Sequence, residues 1–512
     1  MKKPEDIVTL IKSLTGPEKR YFKVFVSKNS IGESNHYLKL FDLIDKTGSS
    51  ERKDIEKLYA NEAFMKKQFR AYKHLLYEQI LNSLKSYHSK GSVDDEIMEL
   101  IREAKILHDK NLYKQAENIL EKAKRIAHKY ERHTLLLEIM RWQKKIINTF
   151  SSYEKEDEKI IYNLSDEENL VINTIANTND IWKPVTLMFF SVRKNGIARN
   201  KEDIDKYNKL IGDLVLENDE FPKSFRARLF FYYLHSNYFS STNNKEKGSL
   251  YIKKIVALME ANPHHIEDEP DNYFNALLNL LYNAKILKKY NEFFALVPKV
   301  KLMIKKFRLQ TTQLFRVYNF EFVAYIDTGQ FQKAMQLLPK IEAILEEEKN
   351  YDELTKIYYS INKILLHYGN KDYHQSLTYI NLLLNNNNKN YLRPDLHCFA
   401  KMFQLIVHFD KENYDFLPYL VKSIYRYLLK QNKLHQFELI IIHFIRIKLP
   451  HINSKKEQTE AFKSLQKELM DIGKDPLEAR FLELFDIISW LESKIENRPF
   501  EEILQEKAGL VD

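Results

Sequence analysis

The chain has 512 residues, of which only 11 are Gly while 31 are Phe and 31 are Tyr, and it carries a formal charge of +9 from 80 Lys and Arg against 71 Asp and Glu. Glycine this scarce argues against turn-rich β-sandwiches and barrels. It also argues against nucleotide-binding α/β folds, which need glycine where backbone meets phosphate.

A hydrophobic fraction of 44% beside 29% charged residues is a globular balance. The single cysteine, Cys398, excludes an intrachain disulfide framework and a multi-cysteine metal site. It suits a reducing compartment, so a cytoplasmic location is expected. The opening MKKPEDIVTLIKSL places Glu5 and Asp6 directly after its lysines and holds no long apolar run, unlike a signal peptide. The most apolar stretch, FELIIIHFIRIKL at 437–449, is interrupted by Glu438, His443, Arg446 and Lys448, so no membrane span is expected.

Residues 1–90 hold 18 Lys and Arg against 11 Asp and Glu, and so carry +7 of the net charge. PEDIVTLIKSL, GPEKRYFKVFVSK, SNHYLKLFDLIDK, ERKDIEKLYA and FMKKQFRAYKHLLYEQILNSLKSYH read as about five helices, forming a basic helical domain or a cap. In the last of these, Lys66, Lys67, Arg70 and Lys73 surround Phe69 and Tyr72. Lys66, Arg70 and Lys73 are four and three apart, which puts them on one helical face. A helix presented to nucleic acid or to an acidic partner has this pattern, and so does any amphipathic helix with a basic outer side. The preceding RKDIEKLYANEA lacks the Gly turn of a helix-turn-helix unit.

From residue 91 onward nearly every segment repeats apolar residues at helical spacing. In 111–127 the stripe is Leu112, Ala116, Ile119, Leu120, Ala123 and Ala127. The breaks are short and polar, as at HSKGSVDD (88–95), NPHHIEDEPDN (262–272) and NNNNKN (385–390). An aromatic that follows a turn recurs as Tyr113, Tyr153, Tyr251, Tyr290, Phe331, Tyr373 and Tyr414, with a missing member near Ile204. The later spacings run between 39 and 42 residues, long enough for two helices and two connections. A helix pair of this kind cannot bury its apolar face alone, so neighbours must stack. The reading is an all-α chain: a helical N-terminal domain at 1–90, helical hairpins of period about 41 over 91–450, and C-terminal helices forming a degenerate repeat or cap at 451–512.

The segment 97–127 resembles a tetratricopeptide (TPR) repeat. Leu100, Ala104 and Leu107 match its first helix, and Tyr113, Ala116, Leu120 and Ala123 match its second. Gly329, Phe331 and Ala334 in TGQFQKA repeat the turn and the start of a second helix. Tyr290 and Tyr414 depart, being followed three residues later by Phe293 and Leu417 where a small residue is the rule, and the period exceeds the usual 34. The resemblance implies a right-handed α-α superhelix of TPR-like hairpins, a class that binds protein or peptide partners in a groove. It makes Tyr113, Ala116, Ala123, Tyr251, Tyr290, Phe331, Ala334, Tyr373 and Tyr414 packing positions.

Local motifs for catalysis fail. No two glycines are closer than 16 residues, so neither GxGxxG nor GxxxxGK[ST] can occur. GxSxG and HExxH are absent. The cluster HHIEDEPD (264–271) offers imidazole and carboxylate groups to a divalent ion, or is simply a polar loop closed by Pro270. His397 and Cys398 are adjacent, so on a helix they point about 100° apart and make no local ion pair. FRARLFFYYLHSNYF (225–239) and FRVYNFEFVAYI (315–326) hold more aromatics than one helical face can bury. They read as a broad core between helices or as anchors lining a partner groove. The expected function is a non-enzymatic scaffold without a cofactor, binding a protein or peptide. The alternative is a nucleic-acid-associated regulator acting through residues 1–90. A helical enzyme with a site assembled from distant repeats is a lesser one.

Overall fold

The computed structural model describes residues 5–29, 34–48, 69–88, 92–150, 155–195, 198, 201–215, 219–347, 353–385, 394–430, 436–452, 454–474 and 484–510. Among these the chain is all-helical, with 24 α-helices and no strand. It divides into two compact units, residues 1–176 and 177–512.

In the first unit, α1 (Glu5–Ser13), α2 (Gly16–Asn29), α3 (Ser34–Thr47) and α4 (Phe69–His88) share an apolar core that includes Ile11, Phe22, Phe41, Ile44, Leu76 and Ile80. A separate core joins α5 (Val93–Asp109), α6 (Tyr113–Lys129), α7 (His133–Phe150) and the first half of α8 (Lys155–Asn195). Helix α6 shows how the pattern becomes packing. Its buried residues Ala116, Leu120, Ala123 and Ala127 fall four, three and four apart, on one stripe. The alanines let α5 approach closely.

In the second unit the hairpins follow in order. They are α10 (Phe225–Ser241) with α11 (Lys245–Glu260), α13 (Pro270–Ile286) with α14 (Tyr290–Phe307), α15 (Thr311–Asp327) with α16 (Phe331–Glu347), α17 (Glu353–Gly369) with α18 (Tyr373–Asn385), and α19 (Pro394–Asp410) with α20 (Leu417–Lys430). α9 (Lys201–Ile211) packs on α10, and the short α12 (Pro263–Asp268) lies between α11 and α13. Helix starts are capped as their sequences dictate. Ser224, Asn244, Ser454 and Asp486 each accept a hydrogen bond from the backbone N–H three residues on, at 2.9–3.2 Å.

The turn inside each hairpin has a recurring geometry. A residue with positive φ stands two positions before the second helix: Asn111, Asn243, Lys288, Gly329 and Lys371, with φ between 54° and 68°. Glu412 takes the same conformation before Tyr414, although α20 begins only at Leu417. The N–H of the following residue bonds back into the first helix, as in Leu112 to the Leu107 carbonyl, Gln330 to Tyr325 and Asp372 to His367, at 2.8–2.9 Å. Three residues into the second helix stand small buried residues, Ala116, Gly248, Ala334 and Ser376, and a Cβ at Gly248 would collide with Ser240 Oγ on the first helix. Ser376 Oγ donates to the Ile364 carbonyl of the first helix at 3.0 Å, and Ser236 Oγ donates to that of Gly248 at 3.1 Å.

The aromatic run 225–239 is absorbed by this stacking. α10 buries Leu229, Phe231, Tyr232, Leu234 and His235 on several sides at once, between α9, α11 and the first helix of the next hairpin. The run 315–326 behaves alike, with Phe315, Phe322 and Ile326 buried in one core and Val317 and Ala324 in the neighbouring one.

After α20 the chain continues through α21 (Gln436–His443), a π-helical turn at Phe444–Lys448, α22 (Lys455–Ile472), α23 (Ile487–Glu496) and α24 (Phe500–Lys507). These last helices return to the turns of earlier hairpins. Gln505 Nε2 donates to the Gly329 carbonyl at 3.1 Å, across 176 residues of chain. Phe500 packs on Phe331 and Tyr368. The carboxylate of Asp410 accepts from Tyr368 Oη at 2.6 Å and Trp490 Nε1 at 3.1 Å, and pairs with Lys494 Nζ at 2.7 Å.

Two predictions follow from these contacts. A Cβ at Gly329 would stand 2.6 Å from the Glu501 carbonyl oxygen in a left-handed backbone. Gly329→Ala is expected to lower stability by roughly 2–4 kcal/mol, whereas Lys371→Gly, which relieves the same conformation, should raise it by up to about 1 kcal/mol. Urea midpoints of the two variants check this. Asp410→Ala leaves Lys494 and Trp490 without their acceptor, and should cost roughly 3–5 kcal/mol. The urea midpoint followed by circular dichroism checks it.

Candidate functional site

A groove of about 430 Å³ opens between α5 and α7 in the first unit, within the size range of ligand pockets. It exists because α5 is amphipathic with an exception. Ser92 caps the helix, and Asp94, Asp95 and Glu96 complement its N-terminal dipole. Ile97, Leu100, Ile101 and Ala104 face the core. The opposite stripe carries Met98, Arg102, Lys105, Ile106 and Asp109, with Met98 54% and Ile106 50% exposed. Apolar side chains this exposed on a charged face have no role in the core.

α7 supplies the other wall through Glu138, Arg141 and Trp142. Trp142 is buried and donates from Nε1 to Glu138 Oε1 at 3.1 Å, which also takes Arg141 at 2.6 Å. The Arg141 guanidinium and the Lys145 ammonium lie over the Trp142 ring at 5.8 and 4.5 Å. The His108 ring meets Trp142 and Tyr113 edge-on, and its Nε2 is buried without a hydrogen-bond partner. Arg132, in the turn before α7, pairs with Asp94 of α5 and so helps fix the two walls. Among the described residues Lys105, which is exposed, has no ion-pair partner, and Arg102 pairs with Glu99 of its own helix at 3.5 Å.

The sequence-based candidates are distributed as follows. Lys66 and Lys67 lie outside the described residues; Arg70 is the second residue of α4, and Lys73 is half-buried there. Of the packing positions, Ala116, Ala123, Phe331, Ala334 and Tyr290 are buried, while Tyr113, Tyr251 and Tyr373 are half-buried. Tyr113, Tyr290, Phe331 and Tyr373 each open a second helix. Tyr251 is six residues inside α11, so Lys245 holds the equivalent place and Gly248 the small buried position after it. Tyr414 precedes its helix and is 47% exposed. Tyr153 lies outside the described residues, and Ile204 is an exposed residue of α9. The segment 264–271, read from the sequence as a polar loop, is helical over Pro263–Asp268 and again from Pro270; in it His265 is buried and stacks on Phe225 at 3.9 Å. Among the described residues no three His, Cys, Asp or Glu side chains converge to hold a metal ion. Cys398 is buried, and no described helix is long and apolar enough to cross a membrane.

The groove residues were missed by a reading that followed the buried stripe. Their signal was Met98 and Ile106, eight residues apart on the polar side of α5. The chain matches no protein-family model and no curated protein sequence. What the geometry defines is an all-α protein of consecutive helical hairpins with a side-chain-lined groove between two first helices.

Burial lowers the pKa of five histidines: His133, His235, His367, His397 and His408, with His397 pushed down to about 4. His397 is therefore neutral in the folded chain at pH 6, where its unfolded counterpart begins to bind a proton. The stability His397 contributes is present above pH 6.5 and is lost as pH falls toward 4, and the lowered values of the other four act in the same direction. Urea midpoints should drop between pH 7 and pH 5. His397→Phe, which keeps the stack on Tyr427, should flatten that profile; an unchanged slope would refute the assignment to His397.

Proposed function

We propose that this protein is a non-enzymatic, cytoplasmic scaffold of TPR-like hairpins, arranged as a right-handed superhelix, that binds a peptide segment of a protein partner in the groove between α5 and α7. The observation that carries the reading is the exposed pair Met98 and Ile106 set between Arg102, Lys105 and Arg141. Exposed apolar side chains flanked by cations match an apolar side chain flanked by carboxylates on the ligand. Trp142, pinned by Glu138 and covered by two cations, gives that ligand a rigid wall. Glu138 and Asp109 are placed to accept from peptide N–H groups. The adjacency of α5, α6 and α7 also supports the TPR-like reading, since the first helix contacts both its own partner and the next first helix.

The test is capture of interacting proteins from native lysate, repeated after nuclease treatment, followed by titration of peptides from the captured partner. Ile106→Asp and Arg141→Glu are expected to weaken peptide binding roughly 10- to 100-fold. Both positions border solvent, so the fold should survive, as far-UV circular dichroism would verify. A captured set that vanishes with nuclease, or peptide affinity unmoved by both variants, would overturn the reading.

A further inference from the structure

Ion pairs tie one hairpin to the next through most of the second unit. Lys253 of α11 pairs with Glu292 of α14 at 3.0 Å, Lys299 of α14 with Glu260 of α11 at 2.6 Å, and Lys285 of α13 with Asp327 of α15 at 2.9 Å. At α20 this ladder stops. Its sequence LPYLVKSIYRYLLK contains no acid; the nearest are Glu412 and Asp415 in the preceding turn. Leu417, Leu420, Val421, Ile424 and Leu428 are buried, which fixes the outward face. Lys422, Arg426 and Lys430 stand on that face, four residues apart and exposed, and have no ion-pair or hydrogen-bond partner among the described residues.

Aromatic rings accompany the cations. Tyr419 is 75% exposed, three residues before Lys422 and seven before Arg426, hence on the same stripe. Tyr425 is 36% exposed at the border of that face. At the border with α19, Lys401 lies over the Tyr427 ring at 4.8 Å and has no carboxylate partner among the described residues. Its ammonium is held below the ordinary lysine pKa by burial, a cost that an anion would relieve.

We propose that the outward face of α20, with Lys401 at its edge, binds single-stranded nucleic acid. Steps of four residues advance about 6 Å along a helix, a spacing on which successive backbone phosphates can each meet a cation. Exposed tyrosines beside cations supply the stacking platforms that sequence-tolerant single-strand binding requires. An acidic protein segment would complement the charges equally but would leave Tyr419 without a role. The site is independent of the α5–α7 groove.

Fluorescence anisotropy of labelled dT20 and U20 with the full chain, from 50 to 300 mM salt, tests the proposal. Three neutralised phosphates predict a slope of about −2 in log affinity against log salt. The triple variant Lys422→Glu, Arg426→Glu, Lys430→Glu should lose at least about tenfold in affinity and flatten that slope. Tyr419→Ala should lose about tenfold with the slope unchanged. Arg426→Gln serves as a milder variant, and circular dichroism checks all of them for folding. No binding of either oligonucleotide at 50 mM salt overturns the proposal. So does binding that the triple variant leaves intact, because the contact then lies elsewhere. Competition by polyglutamate with equal strength, together with an inert Tyr419→Ala, would instead assign the face to an acidic protein and overturn it as well.

Discussion

Two amphipathic helices can share their apolar stripes only as closely as the bulk at their crossing allows. Here small buried residues, Ala116, Gly248, Ala334 and Ser376, stand three positions into the second helix of four hairpins, and the left-handed residue before the helix sets the angle at which the chain enters it. Phe293 takes the same place in α14 and is fully buried there, so that hairpin is filled by a ring rather than by close backbone approach. Everything further out depends on this register: which stripe faces the next hairpin, which charges meet across the gap, and which side chains remain in water.

The all-helical class and the period were legible because they are local. Helical spacing of apolar residues, starved glycine and short polar breaks leave no other economical reading. The register was only partly legible. Tyr113, Tyr290, Phe331 and Tyr373 each open a second helix, but near Tyr251 the chain is crowded with aromatics and the series drifted by six residues. Asn243 and Gly248 mark the true place. Most of the turns stayed hidden because Asn111, Lys288, Lys371 and Glu412 adopt positive φ with ordinary side chains, so no glycine announces them. The groove was hidden for a different reason: it is lined by the stripe of α5 that does not build the core. The return of α24 to Gly329 leaves no trace in a local pattern, since its partners lie 176 residues apart.

Charge has two uses in this chain. Along the hairpins of the second unit, lysines and carboxylates about 40 residues apart pair across neighbours, so the repeat is written in ion pairs as well as in apolar contacts. Such exposed pairs each contribute little to stability. The cations of α20 belong to neither scheme. Among the described residues no carboxylate pairs with them.

The docking of α23 and α24 onto the turns at Gly329, Tyr368 and Asp410 has a further consequence. A linear row of repeats normally frays from its ends, since a terminal unit has one neighbour instead of two. In this chain the last helices are fastened to hairpins well inside the row, so the hairpins from α15 to α19 and the C-terminal helices share one cooperative block. Amide exchange should be slowest in that block, and opening should begin at hairpins that precede it.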